Sequence, residues 1–326
     1  MYIRIKEKIM QYILSFVLAF LVVYFITPSI IKLSYKYSFT DKPTKRKKHS
    51  KETPLCGGIA MFIGFFIVYF LANRYSGISE KIWVFFGALL ILGIGLVDDY
   101  YKTRGKEFPI YPRLIVQLIA AFMIYNAGIA FRGFANPFTG EYILLTKAIQ
   151  IILTITWIFG VTTVINWSDG MDGLAGGLSF ISSITFAAAA IILKQRESVN
   201  MSLIVSGVTL GFLVYNKYPA KIFMGDSGAN FLGFMLSIIA LDGAFKQATL
   251  MSLFIPILAL AIPIFDNIFV IIKRFRDGKP VYQADRSQIH YRLEAKGFTP
   301  KQVVTYINMV SLAFSLISII LLLIKN

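Results

Sequence analysis

Five aspartates stand at the ends of apolar runs, where an acidic side chain is costly unless something uses it. Asp98 and Asp99 are adjacent and follow the run LILGIGLV. The C-terminal end of a helix carries partial negative charge, so two carboxylates there are unfavourable unless a cation or a shared proton joins them. Asn166, Asp169 and Asp172 recur every three residues in INWSDGMDGLAGG, with glycines interleaved. That spacing gathers three oxygen-bearing side chains, either on one helix face or in a turn whose backbone a ligand can approach closely. Asp226 follows Gly225 and precedes Ser227-Gly228 in YNKYPAKIFMGDSGAN, which also holds Asn216 and Phe223. Oxygen donors suit Mg²⁺, which commonly joins one or two carboxylates to a substrate phosphate. Phe223 can stack on a base or anchor the loop at a membrane interface.

A fourth cluster is basic. RFRDGKPVYQADRSQIHYRLEAKGF combines Asp285, Arg286, His290 and Arg292. Arginine can clamp a phosphate with two hydrogen bonds, and the plainer alternative for such a loop is contact with lipid headgroups. The chain has two histidines, His49 and His290, and both lie in basic loops.

The elements that must position these groups are membrane helices. Of 326 residues 56% are hydrophobic and 15% charged, and the mean hydropathy is +0.67. A soluble domain is nearer one-quarter charged, so a soluble enzyme, a disordered chain and a fibrous repeat are excluded. The apolar runs are continuous rather than alternating, which excludes an outer-membrane barrel. The pattern predicts an all-α polytopic membrane protein of about ten transmembrane helices. They fall near 9–31, 55–73, 82–97, 110–130, 146–165, 175–193, 201–216, 230–244, 248–272 and 302–324. The first is too long for a secretory h-region and lacks a small-residue cleavage site, so it reads as a retained span. No linker or repeat divides residues 1–326, which read as a single domain.

Orientation follows from the loops. The net charge is +16, from 33 Lys and Arg against 17 Asp and Glu. Segments 32–54 and 273–301 carry eight Lys and Arg each, 98–113 carries four, and 217–226 carries two. With ten spans all four segments share one side, and the basic side is cytoplasmic. Both termini are then outside, and the acids gather on the cytoplasmic face of an inner membrane. The positive charge is accounted for by anionic lipid, so no nucleic-acid partner is expected. A soluble anionic substrate and a membrane-embedded acceptor can meet on such a face.

Six segments together resemble the polyprenyl-phosphate N-acetylhexosamine-1-phosphate transferases. They are PLCGGIAMFIG (54–64), GLVDDYYKTRGKEF (95–108), NWSDGMDGLAGGLS (166–179), NKYPAKIFMGDSGANFLG (216–233), PIFDNIFVIIKR (263–274) and ADRSQIHYRL (284–293), in the family's order. The resemblance implies an integral membrane enzyme that moves a sugar phosphate from a UDP-sugar to a polyprenyl phosphate and releases UMP. It implies Asp98 and Asp99 as the catalytic acidic pair that handles the lipid phosphate, with Asp98 as proton acceptor. It implies Asp226 as the Mg²⁺ ligand, with Mn²⁺ as the alternative metal. Asn166, Asp169 and Asp172 match the nucleotide-binding loop, and Asn216 and Phe223 match positions around the nucleoside. His290 matches one member of a histidine cluster near the diphosphate, and Arg286 belongs to the same arm. Gln288 and Tyr291 stand where the family's arm carries further histidines, and neither is an acid or base near neutral pH.

The ADR arm is similar to the branch that uses UDP-GlcNAc and undecaprenyl phosphate to start a cell-envelope polysaccharide. The alternative within the family is the phospho-MurNAc-pentapeptide transferase of peptidoglycan synthesis. The alternative from another class is a transporter or lipid flippase, which predicts charges at mid-membrane depth. Asp266 comes nearest to such a residue, and Pro256 and Pro263 predict a kink in the ninth span. A homodimer is the alternative to a monomer.

Overall fold

A computed structural model describes residues 2–43, 51–72, 77–136, 139–243, 250–280 and 285–325. The basic run 45–48 and His49 lie outside the described residues. Helices α1 (Tyr2–Lys36), α2 (Gly57–Ala72), α3 (Ile78–Thr103) and α4 (Ile110–Asn126) come first. Then follow α5 (Lys147–Trp167), α6 (Leu174–Ile192), α7 (Arg196–Asn216) and α8 (Gly225–Asp242). The last are α9 (Leu250–Ala259), α10 (Ala261–Arg276), α11 (Ile289–Ala295) and α12 (Pro300–Lys325). Among the described residues, strands are confined to two short antiparallel pairs. β1 (Thr40–Asp41) pairs with β2 (Thr53–Pro54), and β3 (Gly133–Ala135) pairs with β4 (Tyr142–Leu144).

Each of the ten apolar segments is occupied by helix. Among the described residues, six helices are long and apolar enough to cross a membrane by length and composition: α1, from Ile9 onward, α3, α5, α6, α7 and α12. Helices α2 and α4 are apolar but shorter, and α8 carries an aspartate at each end. The chain is a multi-pass membrane protein.

The ninth segment is broken rather than kinked. Leu260, at φ −109° and ψ 20°, separates α9 from α10. Pro263 has no N–H to offer the carbonyl of Ala259. The hydroxyl of Ser182 on α6 donates to that carbonyl instead, at 2.7 Å. A neighbouring helix thereby satisfies the group that the break exposes.

Helix α8 is the axis of the bundle. From Ser227 to Asp242 it is buried, chiefly against α3, α5 and α2. Apolar contact gives little drive between helices in lipid, so close approach through small residues takes its place. A Cβ at Gly95 of α3 would overlap the backbone of Ser227. That crossing brings the end of α3 against the first turn of α8, which is where the acids are.

Candidate active site

Adjacent residues on a helix point about 100° apart, and the two acids at the end of α3 do different things. Asp99 is fully buried and faces the backbone of α8. Its Oδ1 accepts the N–H of Asp226 at 2.8 Å, and its Oδ2 accepts that of Ser227 at 3.0 Å. The first N–H groups of a helix have no partner within it, so Asp99 caps α8 from a neighbouring helix. Asp98 shares its cationic neighbours, Lys102 and Arg113, with the side chain of Asp226.

Two cations close around that pair. Lys102 Nζ is 2.6 Å from Asp226 Oδ1 and 3.5 Å from Asp98 Oδ2. Arg113, in the first turn of α4, is 3.0 Å from Asp98 Oδ2 and 3.6 Å from Asp226 Oδ2. Burial alone would raise the pKa of Asp226, but Lys102, the contact with Asp98 and Arg113 outweigh it and hold the carboxyl well below the usual range. Asp226 is therefore ionised and 16% exposed at the mouth of the site. In the sequence Lys102 and Arg113 stand out only as part of the basic segment 98–113.

The loop between α5 and α6 adds the next layer as a turn rather than a helix face. Asn216 stitches it in place: its Oδ1 accepts the N–H of Gly173 at 3.0 Å, and its Nδ2 donates to Ile222 O at 2.9 Å. Asp172 accepts the N–H of Ala220 at 2.9 Å. Both side chains thus join this loop to the one before α8. Asn166 keeps a buried amide nitrogen with no hydrogen-bond partner among the described residues. Phe223 is half-buried and held through its backbone, its N–H on Pro54 O at 2.8 Å and its carbonyl on Gly57 N–H at 3.0 Å.

Asp169 is half-buried, with Asp226 and Lys102 as its main charged neighbours. Burial and the charge of Asp226, opposed by Lys102, push its pKa up to about 7. The folded chain therefore keeps a proton that the unfolded chain loses above about 3.8, and this group's cost to folding grows to its full value above about 7. Asp169→Asn is expected to raise the melting temperature at pH 8, with the gain shrinking towards pH 4. An equal gain at both pH values would contradict the assignment.

The last component is the arm that follows α10. His290 is buried in α11, and its imidazole packs on Gly170, where a Cβ would overlap the ring. Arg286 is exposed at the start of the arm and makes no hydrogen bond or ion pair with the described residues. Asp285 accepts from Arg274 at 2.9 Å and from the Ser287 hydroxyl at 2.8 Å. Burial would raise its pKa, but these partners outweigh it and lower the value. Arg274 also covers the ring of Trp167, 4.9 Å from its centroid. The structure thus gathers Asp98, Asp226, Asp169 and His290 at one end of the bundle. It gives the Asp99, Asp172 and Asn216 side chains to the backbone, and it leaves Arg286 at the rim.

No three His, Cys, Asp or Glu side chains among the described residues form a cluster that could hold a metal ion by themselves. Mg²⁺ commonly asks for less: one or two carboxylates, with phosphate and water completing the shell. Asp226 and Asp98 fit that need.

Residues 82–244 match the model for Glycosyl transferase family 4. The chain is 39% identical over 295 residues to the "probable undecaprenyl-phosphate N-acetylglucosaminyl 1-phosphate transferase" of Bacillus subtilis, across 90% of this chain and 80% of that protein. It is 29% identical over 292 residues to the decaprenyl-phosphate N-acetylglucosaminephosphotransferase of Mycobacterium tuberculosis, across 81% of this chain and 71% of that one. A phospho-N-acetylmuramoyl-pentapeptide-transferase of Listeria monocytogenes is also 29% identical, over 308 residues, covering 90% and 91%. The acid-bearing loops between α3 and α8 fall inside the matched segment, and the chain belongs to glycosyl transferase family 4.

Proposed function

We propose that this chain transfers N-acetylglucosamine 1-phosphate from UDP-GlcNAc to undecaprenyl phosphate, releasing UMP. The reaction takes place on the cytoplasmic face of the inner membrane, both chain termini lie outside, and the product starts a cell-envelope polysaccharide. One observation carries the reading: Asp98 and Asp226 meet between Lys102 and Arg113, at the end of the bundle where Asp169 and His290 also gather. A site that joins two phosphate-bearing partners needs such a balance of charges. The names of the relatives support the polyprenyl phosphate and the N-acetylglucosamine 1-phosphate group, and the resemblance of the motifs implies the UDP donor.

Asp226, with Asp98 beside it, would hold Mg²⁺, which would supply neutralisation of phosphate charge. The remaining steps fall to the chain's own residues. Lys102 and Arg113 are held on carboxylates in the free protein and turn to phosphate oxygens when substrates enter. An oxygen of the lipid phosphate attacks the sugar-bearing phosphorus in line, and the bond to the bridging oxygen breaks, so that UMP leaves. A phosphate monoester is largely ionised near neutral pH, so the attack needs no strong base. The free amide nitrogen of Asn166 offers a donor to the nucleotide. His290 donates a hydrogen bond to the diphosphate from its place against Gly170.

The test is UMP release by purified protein in detergent, with undecaprenyl phosphate, Mg²⁺ and UDP-GlcNAc, UDP-GalNAc or UDP-MurNAc-pentapeptide in parallel. UMP is expected only with lipid and with UDP-GlcNAc, and chelation by EDTA should abolish it. Release from the pentapeptide donor alone would move the chain to the peptidoglycan branch. No release from any donor by folded protein would end the transferase reading.

A further inference from the structure

We infer that Asp266 is a positioning residue: it sets the roll of α11 and so keeps His290 against the Gly170 loop. Asp266 projects from α10 with its side chain 9% exposed. Both of its oxygens lie 2.9 Å from the N–H of Ile289, the first residue of α11. Gln288, at the N-cap position, makes no side-chain capping bond, so this cap comes from another helix. Oδ1 also accepts Arg292 at 2.6 Å, and Arg292 lies over Phe269 of α10 at 4.1 Å. Ile289 and Arg292 are three apart and share a face of α11. Asp266 therefore grips one edge of α11 at two points.

A helix of seven residues has little stability of its own, so its orientation is fixed by what it touches. Ile289 and Leu293 pack on Leu174, Leu178, Val303 and Ile307. That apolar contact seats α11 but tolerates small rotations. The directional bonds to Asp266 do not. His290 lies 100° round the helix from Ile289, so a roll of α11 carries the imidazole off Gly170. Asp266 touches no proposed substrate position and acts through His290.

This inference rests on the proposed role of His290, and a double-mutant cycle in the full chain separates the two. UMP release is measured with undecaprenyl phosphate, UDP-GlcNAc and Mg²⁺ for Asp266→Asn, His290→Ala and the double variant. Asp266→Asn is expected to lower kcat about tenfold while KM for UDP-GlcNAc changes less than about twofold. The double variant should be no slower than His290→Ala alone, because a misplaced imidazole and a missing one are the same loss. Multiplying effects, or an unchanged kcat in Asp266→Asn beside a slow His290→Ala, would overturn the inference alone. A full rate in His290→Ala would overturn the site reading and the inference with it. If Asp266→Asn does not fold, Arg292→Gln keeps the backbone cap and removes the ion pair. It should show the same non-additivity with His290→Ala, and additivity there would overturn the inference equally.

Discussion

Asp226→Asn is expected to lower turnover by about a thousandfold or more while the protein stays folded. The side chain is ionised and sits where Lys102, Arg113 and Asp98 converge. An amide of the same shape keeps the volume and loses the charge. It is a weaker ligand for the proposed Mg²⁺, and it no longer holds Lys102 and Arg113 in their ligand-free positions. The backbone N–H of residue 226 still bonds Asp99, so the start of α8 keeps its cap. The melting temperature at neutral pH should fall, because the ion pairs to Lys102 and Arg113 are lost, but the protein should stay folded, and UMP release should vanish at every Mg²⁺ concentration tried. A rate near that of the parent protein would remove Asp226 from the metal site.

Asp99→Ala should fail in a different way. The carboxylate is fully buried and accepts two backbone N–H groups. Its removal leaves both donors buried without partners, at about 1–3 kcal/mol each. The expected result is a melting temperature lower by several degrees, with activity falling because Asp226 is carried on the turn that loosens. Gly225 stands at φ +69° beside Asp99, so the chain has committed an unusual backbone conformation to this contact. If Asp99 handled the lipid phosphate directly, as its pairing with Asp98 implies, Asp99→Ala would lose rate with an unchanged melting temperature. Thermal unfolding and UMP release on one preparation decide between the two roles.

Much of the architecture is legible because a membrane span must be a long apolar run: each of the ten runs holds helix among the described residues, and six of those helices are long and apolar enough to cross. The break at Leu260 was not legible, since prolines in a membrane helix usually kink it. The break depends on Ser182, seventy-seven positions away, to satisfy Ala259. At the site, local spacing found the acids and missed their partners. Lys102 stands one helical turn after Asp98, a local signal of an ion pair that the basic character of the loop around it obscures. Arg113 reaches the same carboxylate from another helix, and nothing local announces that. Asp98 and Asp99 look like a unit in the sequence, but the helical step turns one to a side chain and the other to a backbone. His290 looks like a solvated loop residue, but α11 buries it.

The break at Leu260 also makes α10 a rod of its own. Phe265, Ile268, Phe269, Ile272 and Phe275 are exposed along it, and its last turn carries Lys273, Arg274 and Arg276. The arm is fastened to this rod twice, by Asp266 with Arg292 and by Arg274 with Asp285. An apolar flank ending in a basic turn finds its level by the thickness and charge of the lipid around it. The arm that bears His290 is thus carried on a helix whose exposed flank meets the lipid rather than the bundle, and the expected consequence is a turnover rate that changes with the chain length and charge of the lipids around the protein.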